Sequence, residues 1–399
     1  VKKTLLTFSI LLLGFGIGWI FSYLRLPHLS LDSSFLLGAI LSALLIIIIQ
    51  LLGKRYRLKG INSLILLLLA LVLIYTIDYY SELKRIENSE ELTARMKEIE
   101  EKQLLITSQE KTNQFFMVNQ LINEIQSSEY EDSLDTRMIA SIINLSQVLQ
   151  PIRGYPIGES DVPFLSPGRG HLLLSLMSLN LDSLSWKKIV KNSDFSYSDL
   201  RALKLRSANW SGINIEGSSL NSTDLVGVNL RNARMSNLQA RDVEIIRSDL
   251  SSADMINSNL NWARIKKSNL QNTKLSGCSL INSSFSEVNM KDVYFWHANL
   301  KGANVSNSDM RVADLWTTNF DSASFSKVDF SYARFTDTKF LDTKLDSVNV
   351  HFTAAPIDWF EYAKRNRVIG LSSIESEYVI QSDSSKRFPV QKYFLKRKD

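Results

Sequence analysis

Between Phe195 and Val350 the chain repeats every five residues. Thirty-two positions fall on that ladder (Phe195, Leu200, Leu205, Trp210, Ile215, Leu220 and onward), and all but Ala240 are large and apolar. In a chain that is 45% hydrophobic, so long an unbroken run does not arise by chance. Two residues before each centre the side chain is nearly always small, as at Ser198, Ala208, Ser218, Ala253, Cys278 and Ala313; Leu203, Ile213 and Leu238 are exceptions. A period of five matches neither the helix period of about 3.6 nor the strand period of about 2. It points to a solenoid, in which stacked units share one continuous core. The one small centre, Ala240, follows the large Leu238. The two inward slots have exchanged volumes, as a constant packing density requires.

The units beginning at Ala208 (Ala-Asn-Trp-Ser-Gly), Ala253 (Ala-Asp-Met-Ile-Asn), Ala303 (Ala-Asn-Val-Ser-Asn) and Ala313 (Ala-Asp-Leu-Trp-Thr) resemble the pentapeptide-repeat family's pattern, A(D/N)LXX. The resemblance covers residues 192–352 and implies a right-handed, quadrilateral β-helix with four units per coil. About eight coils follow, stacked over roughly 38 Å at the inter-strand spacing. Centres twenty residues apart then lie above one another: Phe195, Ile215, Met235, Met255, Leu275, Phe295, Leu315 and Phe335 form one column. Phe320, Phe325, Phe330, Phe335 and Phe340 fill more than a coil with aromatic rings, so that end is expected to be wide and rigid. The fold says little about function, because one solenoid hosts many roles.

The net charge of +5 sits in residues 1–80, where seven Lys/Arg face Asp32 and Asp78. The repeat block carries 18 basic and 17 acidic residues, so the basic pI does not argue for nucleic acid. The charge flanks three apolar stretches, residues 5–24, 35–52 and 61–77, each near the length that spans a hydrocarbon core. Residues 1–78 are therefore predicted to be a membrane domain of three transmembrane helices. The first stretch is read as a retained span rather than a signal peptide, since no small-x-small cleavage site follows it. The loop at 53–60 holds four Lys/Arg and the loop after the first span only Arg25, which puts the soluble part outside the membrane; a re-entrant helix would invert the side.

Residues 79–150 read as a helical stalk. From Tyr79 to about Gln126 there is no Gly or Pro, and Met96, Ile99, Ile106, Met117, Leu121 and Ile125 form an irregular apolar stripe. Gln103, Glu110 and Asn113 break its coiled-coil seam, leaving a coiled coil and a locally packed stalk as alternatives. One helix of about 48 residues reaches roughly 70 Å. Residues 151–191 read as a Pro-rich linker and N-terminal cap, with short helices at His171–Leu179 and Trp186–Val190. The run Leu165-Ser-Pro-Gly-Arg-Gly-His-Leu-Leu-Leu is similar to the lead-in of membrane-anchored bacterial pentapeptide-repeat proteins, which implies a place at the cytoplasmic membrane and a capping job on the first coil. Residues 353–399 read as a C-terminal cap helix and basic tail, with Trp359 and Phe360 available to cover the last coil. Relatives dimerise through this end, so the resemblance also admits a homodimer.

Function must lie on the outward positions. Trp296 and Trp316 each directly follow a centre, twenty residues apart, and should stack on one face, flanked by Tyr294 and His297. This candidate patch binds a protein partner, is covered by the stalk or tail, or is simply exposed. Arg231, Lys291 and Arg311 form a basic column that reads as a solvated face. No phosphate loop, nucleophile elbow or His/Cys metal set is present, and one cysteine excludes an intrachain disulfide. No cofactor and no catalytic constellation are expected. The reading is a membrane-anchored scaffold presenting a rigid protein-binding surface, in envelope organisation by resemblance. The alternatives are a sensing subunit of a membrane complex or transporter and, against the near-neutral repeat block, a DNA-mimic inhibitor.

Overall fold

The computed structural model describes residues 61–128, 134–153, 164–179, 181–382 and 393–398, with side chains from residue 79 onward. They fall into two compact units, Val1–Glu100 and Glu101–Asp399. Helix α1 (Ile61–Ser127) supplies the described part of the first. In that unit Glu82 pairs with Arg85 and Glu91 with Arg95, both exposed. Among the described residues no helix is long and apolar enough to cross a membrane. The expected spans at 5–24, 35–52 and 61–77 lie outside the residues whose side chains are described.

The second unit is built on the five-residue ladder. Eight three-residue strands, β1 (Lys204–Arg206), β2 (Asp224–Val226), β3 (Glu244–Ile246), β4 (Arg264–Lys266), β5 (Ser284–Ser286), β6 (Asn304–Ser306), β7 (Ser324–Ser326) and β8 (Lys344–Asp346), pair in sequence order as one parallel sheet. The register is twenty residues throughout, from Leu205↔Leu225 to Phe325↔Leu345, so seven full turns separate first from last. The other three faces carry isolated parallel bridges at the same offset. The centres point inward and are buried, from Phe195 to Val350. Leu238 and Ala240 are both inside, and the exchanged pair fills one layer. At the C-terminal end the rings of Phe320, Phe325, Phe330, Phe335 and Phe340 meet edge to face at 4.8–5.3 Å in succession.

Two features make the small inward slot and the residue beside it what they are. Where the slot holds Thr, its hydroxyl donates to the centre carbonyl one coil back, as Thr223 to Leu200, Thr318 to Phe295 and Thr343 to Phe320; Ser248 and Ser258 do the same, whereas Ser283 turns to Leu280 of its own coil. A buried hydroxyl is thereby satisfied. On the face of Asn209 to Asn349, the Asn or Asp before each centre accepts the N–H two residues on, as Asn229 from Arg231 and Asp309 from Arg311. Those side chains pin the corner turn.

Every fifth residue from Tyr197 to Phe352 has φ between 48° and 74°. The slot holds Gly, Asn, Asp or Ser at twenty of its thirty-two positions, the types that tolerate left-handed backbone. Elsewhere the neighbouring coils over-determine the turn. Val312, a β-branched residue at φ 60°, donates its N–H to Ser331.

Both ends are closed. Helices α2 (Thr136–Val148), α3 (Pro167–Ser178) and α4 (Ser183–Asn192) cap the first coil, with α2 started by Asp135 and α3 by Ser166 as N-caps. The lower part of α1 belongs to this cap: Thr107, Gln114, Val118, Leu121 and Ile125 are buried. Gln114 accepts the Gly168 N–H at 2.9 Å and donates to the Gln150 carbonyl at 2.7 Å. Residues expected in a stalk, Met117 and Leu121 among them, therefore pack locally, whereas Met96, Ile99 and Ile106 stay exposed. Arg169 is the cap's polar centre. Its guanidinium pairs with Asp194 at 2.9 Å and donates to Ser146 and Ser196. Burial lowers its pKa and Asp194 opposes that shift.

At the other end β9 (Thr353–Ala354), α5 (Trp359–Arg365), α6 (Leu371–Glu377), β10 (Tyr378–Ser382) and β11 (Tyr393–Arg397) follow, with the sheet ordered β10-β11-β9. Trp359 is buried against Phe335 and Phe340. It covers the last coil, as its place in the sequence suggested.

Candidate functional site

The face opposite the strand face carries Lys274, Tyr294, Asp314 and Arg334 in bridged succession. Trp296 and Trp316 do not lie on a face. They occupy the corner turns just beyond it, because the chain bends directly after each centre. The corner is held by the backbone ladder: Gly277 N–H donates to the Trp296 carbonyl and His297 N–H to the Trp316 carbonyl. One coil of rise, about 4.8 Å, brings the two indoles together.

Their rings meet edge to face at 6.1 Å, and Tyr294 meets Trp296 in the same way at 6.3 Å. His297 lies 5.2 Å from Trp316 and its Nδ1 is 2.5 Å from the Thr317 hydroxyl. The same hydroxyl donates to the Trp316 carbonyl at 2.7 Å. Tyr294, Trp296 and Trp316 remain 41%, 38% and 38% exposed. All four residues picked out by spacing are thus brought together, and among the described residues neither the cap helices nor the C-terminal strands bury them.

The sequence reading missed the far edge of the same face. Val312 and Tyr332, exposed, stand on the opposite corner in the left-handed slot, and Tyr332 stacks on Phe352 at 5.3 Å, itself against Phe394 of β11. The signal was the twenty-residue column Asp292, Val312, Tyr332, Phe352, which turns apolar toward the C-terminus. Between the edges Arg334 grips Asp314 with two hydrogen bonds, so the strip between the aromatics carries a neutralised pair. In the basic column, Arg231 pairs with Asp249 and Arg311 with Asp309. Another exposed indole, Trp262, lies on a different corner under the Arg241 guanidinium, 4.2 Å from its ring.

Among the described residues no group of three or more His, Cys, Asp or Glu is placed to hold a metal ion. Cys278 is buried, and desolvation pushes its thiol up to about 12, so it stays protonated.

The family model for pentapeptide repeats matches eight copies, over residues 198–237, 244–280, 268–307, 278–316 and 313–342. A comparison with curated protein sequences returns no match. Among solved structures, a trypsin-treated form of QnrB1, a plasmid-mediated fluoroquinolone resistance protein, is 18% identical over 43% of this chain and 91% of its own, with a TM-score of 0.22. A pentapeptide repeat protein of the Arabidopsis thaliana thylakoid lumen is 23% identical over 28% of this chain and 71% of its own (TM-score 0.20). HetL of the cyanobacterium Nostoc, involved in heterocyst differentiation regulation, is 18% identical over 41% of this chain and 91% of its own (TM-score 0.17). Likeness at this level carries no function across. The eight matched copies lie on the observed coils, so the solenoid between residues 198 and 342 is built of pentapeptide repeats.

Proposed function

We propose that the chain is a non-catalytic, membrane-anchored scaffold whose solenoid binds a protein partner at the corner formed by Tyr294, Trp296, His297 and Trp316. One observation carries this reading: three aromatic side chains pack on one another on a rigid backbone and still present more than a third of their surface to water. Prepacked aromatics lose little entropy on binding, and residues of this type dominate interface energetics. The support for the anchor is the sequence of residues 1–78, with its three apolar stretches and flanking cations. The 18 basic and 17 acidic residues of the repeat block disfavour a nucleic-acid mimic, which needs a strongly acidic surface.

Replacing Trp296 and Trp316 together by Ala is expected to lower the affinity for the partner that co-purifies with the wild-type chain by about thirtyfold or more, from about 2 kcal/mol for a central aromatic anchor. Trp262→Ala, on another corner, leaves binding unchanged. Equal co-purification of the double variant, with the β-sheet circular dichroism intact, would sink the proposal.

A further inference from the structure

The part of α1 between Ser89 and Glu100 carries an apolar line open to water. Leu92, Met96 and Ile99 are 63%, 61% and 60% exposed. They follow one another at steps of four and three, so they lie along one side of the helix. Those are the d, a and d seats of a two-stranded coiled coil, and Gln103 and Ile106 continue the same steps. Further on, Glu110 and Asn113 are polar, and the helix turns Gln114 and Val118 into the solenoid cap. The line therefore ends where the helix finds a different partner.

Charge chooses both the occupant and its direction. In this register Arg95 takes a g seat and Glu100 the following e seat. A parallel pair sets each g residue against the e residue five places on in the other helix. Arg95 then meets Glu100 of a second copy, twice per pair, and the preceding g–e contact, Asn88–Thr93, opposes no like charges. An antiparallel pair sets g against g, and Arg95 would meet Lys102, cation against cation. Arg95 at present reaches Glu91 at 2.6 Å in an exposed i, i+4 pair, which is readily exchanged.

We propose that α1 pairs in parallel with α1 of a second copy of this chain along Leu92, Met96 and Ile99, with Arg95 and Glu100 setting its direction. The seam is short, so the dimer is weak and concentration-dependent. Its residues are separate from the tryptophan corner, and Trp296→Ala with Trp316→Ala leaves it intact.

Disulfide trapping on the full chain tests this, because the one native cysteine is buried and unreactive. Leu92→Cys and Ile99→Cys, each oxidised with copper phenanthroline, are expected to give covalent dimers on a non-reducing gel. Ala94→Cys, on the outer side of the helix, gives at least tenfold less. Arg95→Glu in the Leu92→Cys background cuts the yield at least fivefold, and adding Glu100→Arg restores it. Absence of a dimer from Leu92→Cys, the result also expected of an antiparallel pair, overturns the proposal. So does equal trapping from Ala94→Cys.

Discussion

Leu238 and Ala240 fill one layer of the core in reverse order, large where the neighbouring coils are small and small where they are large. Leu238→Ala leaves two small residues in that layer and a cavity between coils. It is expected to cost about 2–5 kcal/mol. Adding Ala240→Leu restores the usual order and should recover at least half of the loss, read as the urea midpoint of the β-sheet signal. At this scale the inward residues were legible, because burial enforces a periodic pattern that a single sequence displays. The left-handed slot was less so. Val312, Trp262 and Tyr332 occupy it against type, held by hydrogen bonds to the next coil that no local pattern records.

Among the elements, the cap depends on how closely α3 approaches the first coil. Ser166 bridges Ser198 in parallel, so α3 begins stacked on the first coil. Gly170 sits so near that an added Cβ would lie 2.3 Å from the Asp199 carbonyl oxygen. Gly170→Ala must therefore lift the helix, at a cost of about 1–3 kcal/mol by overpacking. Limited proteolysis is expected to cut residues 134–179 faster while the coils from residue 215 onward stay resistant; an unchanged digest would contradict the close approach. The capping run at Leu165–Leu174 could be read from its Pro, Gly and apolar residues. The share that α1 takes in the cap could not. Gln114 reads as surface, and its partners, Gly168 and Gln150, are 54 and 36 residues away in the chain. A polar side chain buried by distant backbone groups leaves no periodic trace.

For the whole molecule, a solenoid closed at both ends has its interior committed to packing, which leaves only the outer columns to act. Spacing alone placed Trp296 and Trp316 together and missed that the chain bends directly after each centre, so that they stand on a corner. It also missed Val312 and Tyr332 across the same face, because a column is visible only once the coil of twenty is known. The most direct measurement is in-cell photocrosslinking from a benzophenone side chain placed at position 296 or, on the strand face, at Ser306 in β6. The account predicts a discrete crosslinked partner from position 296 and none from position 306. Equal crosslinking from both positions, or none from 296, would contradict it.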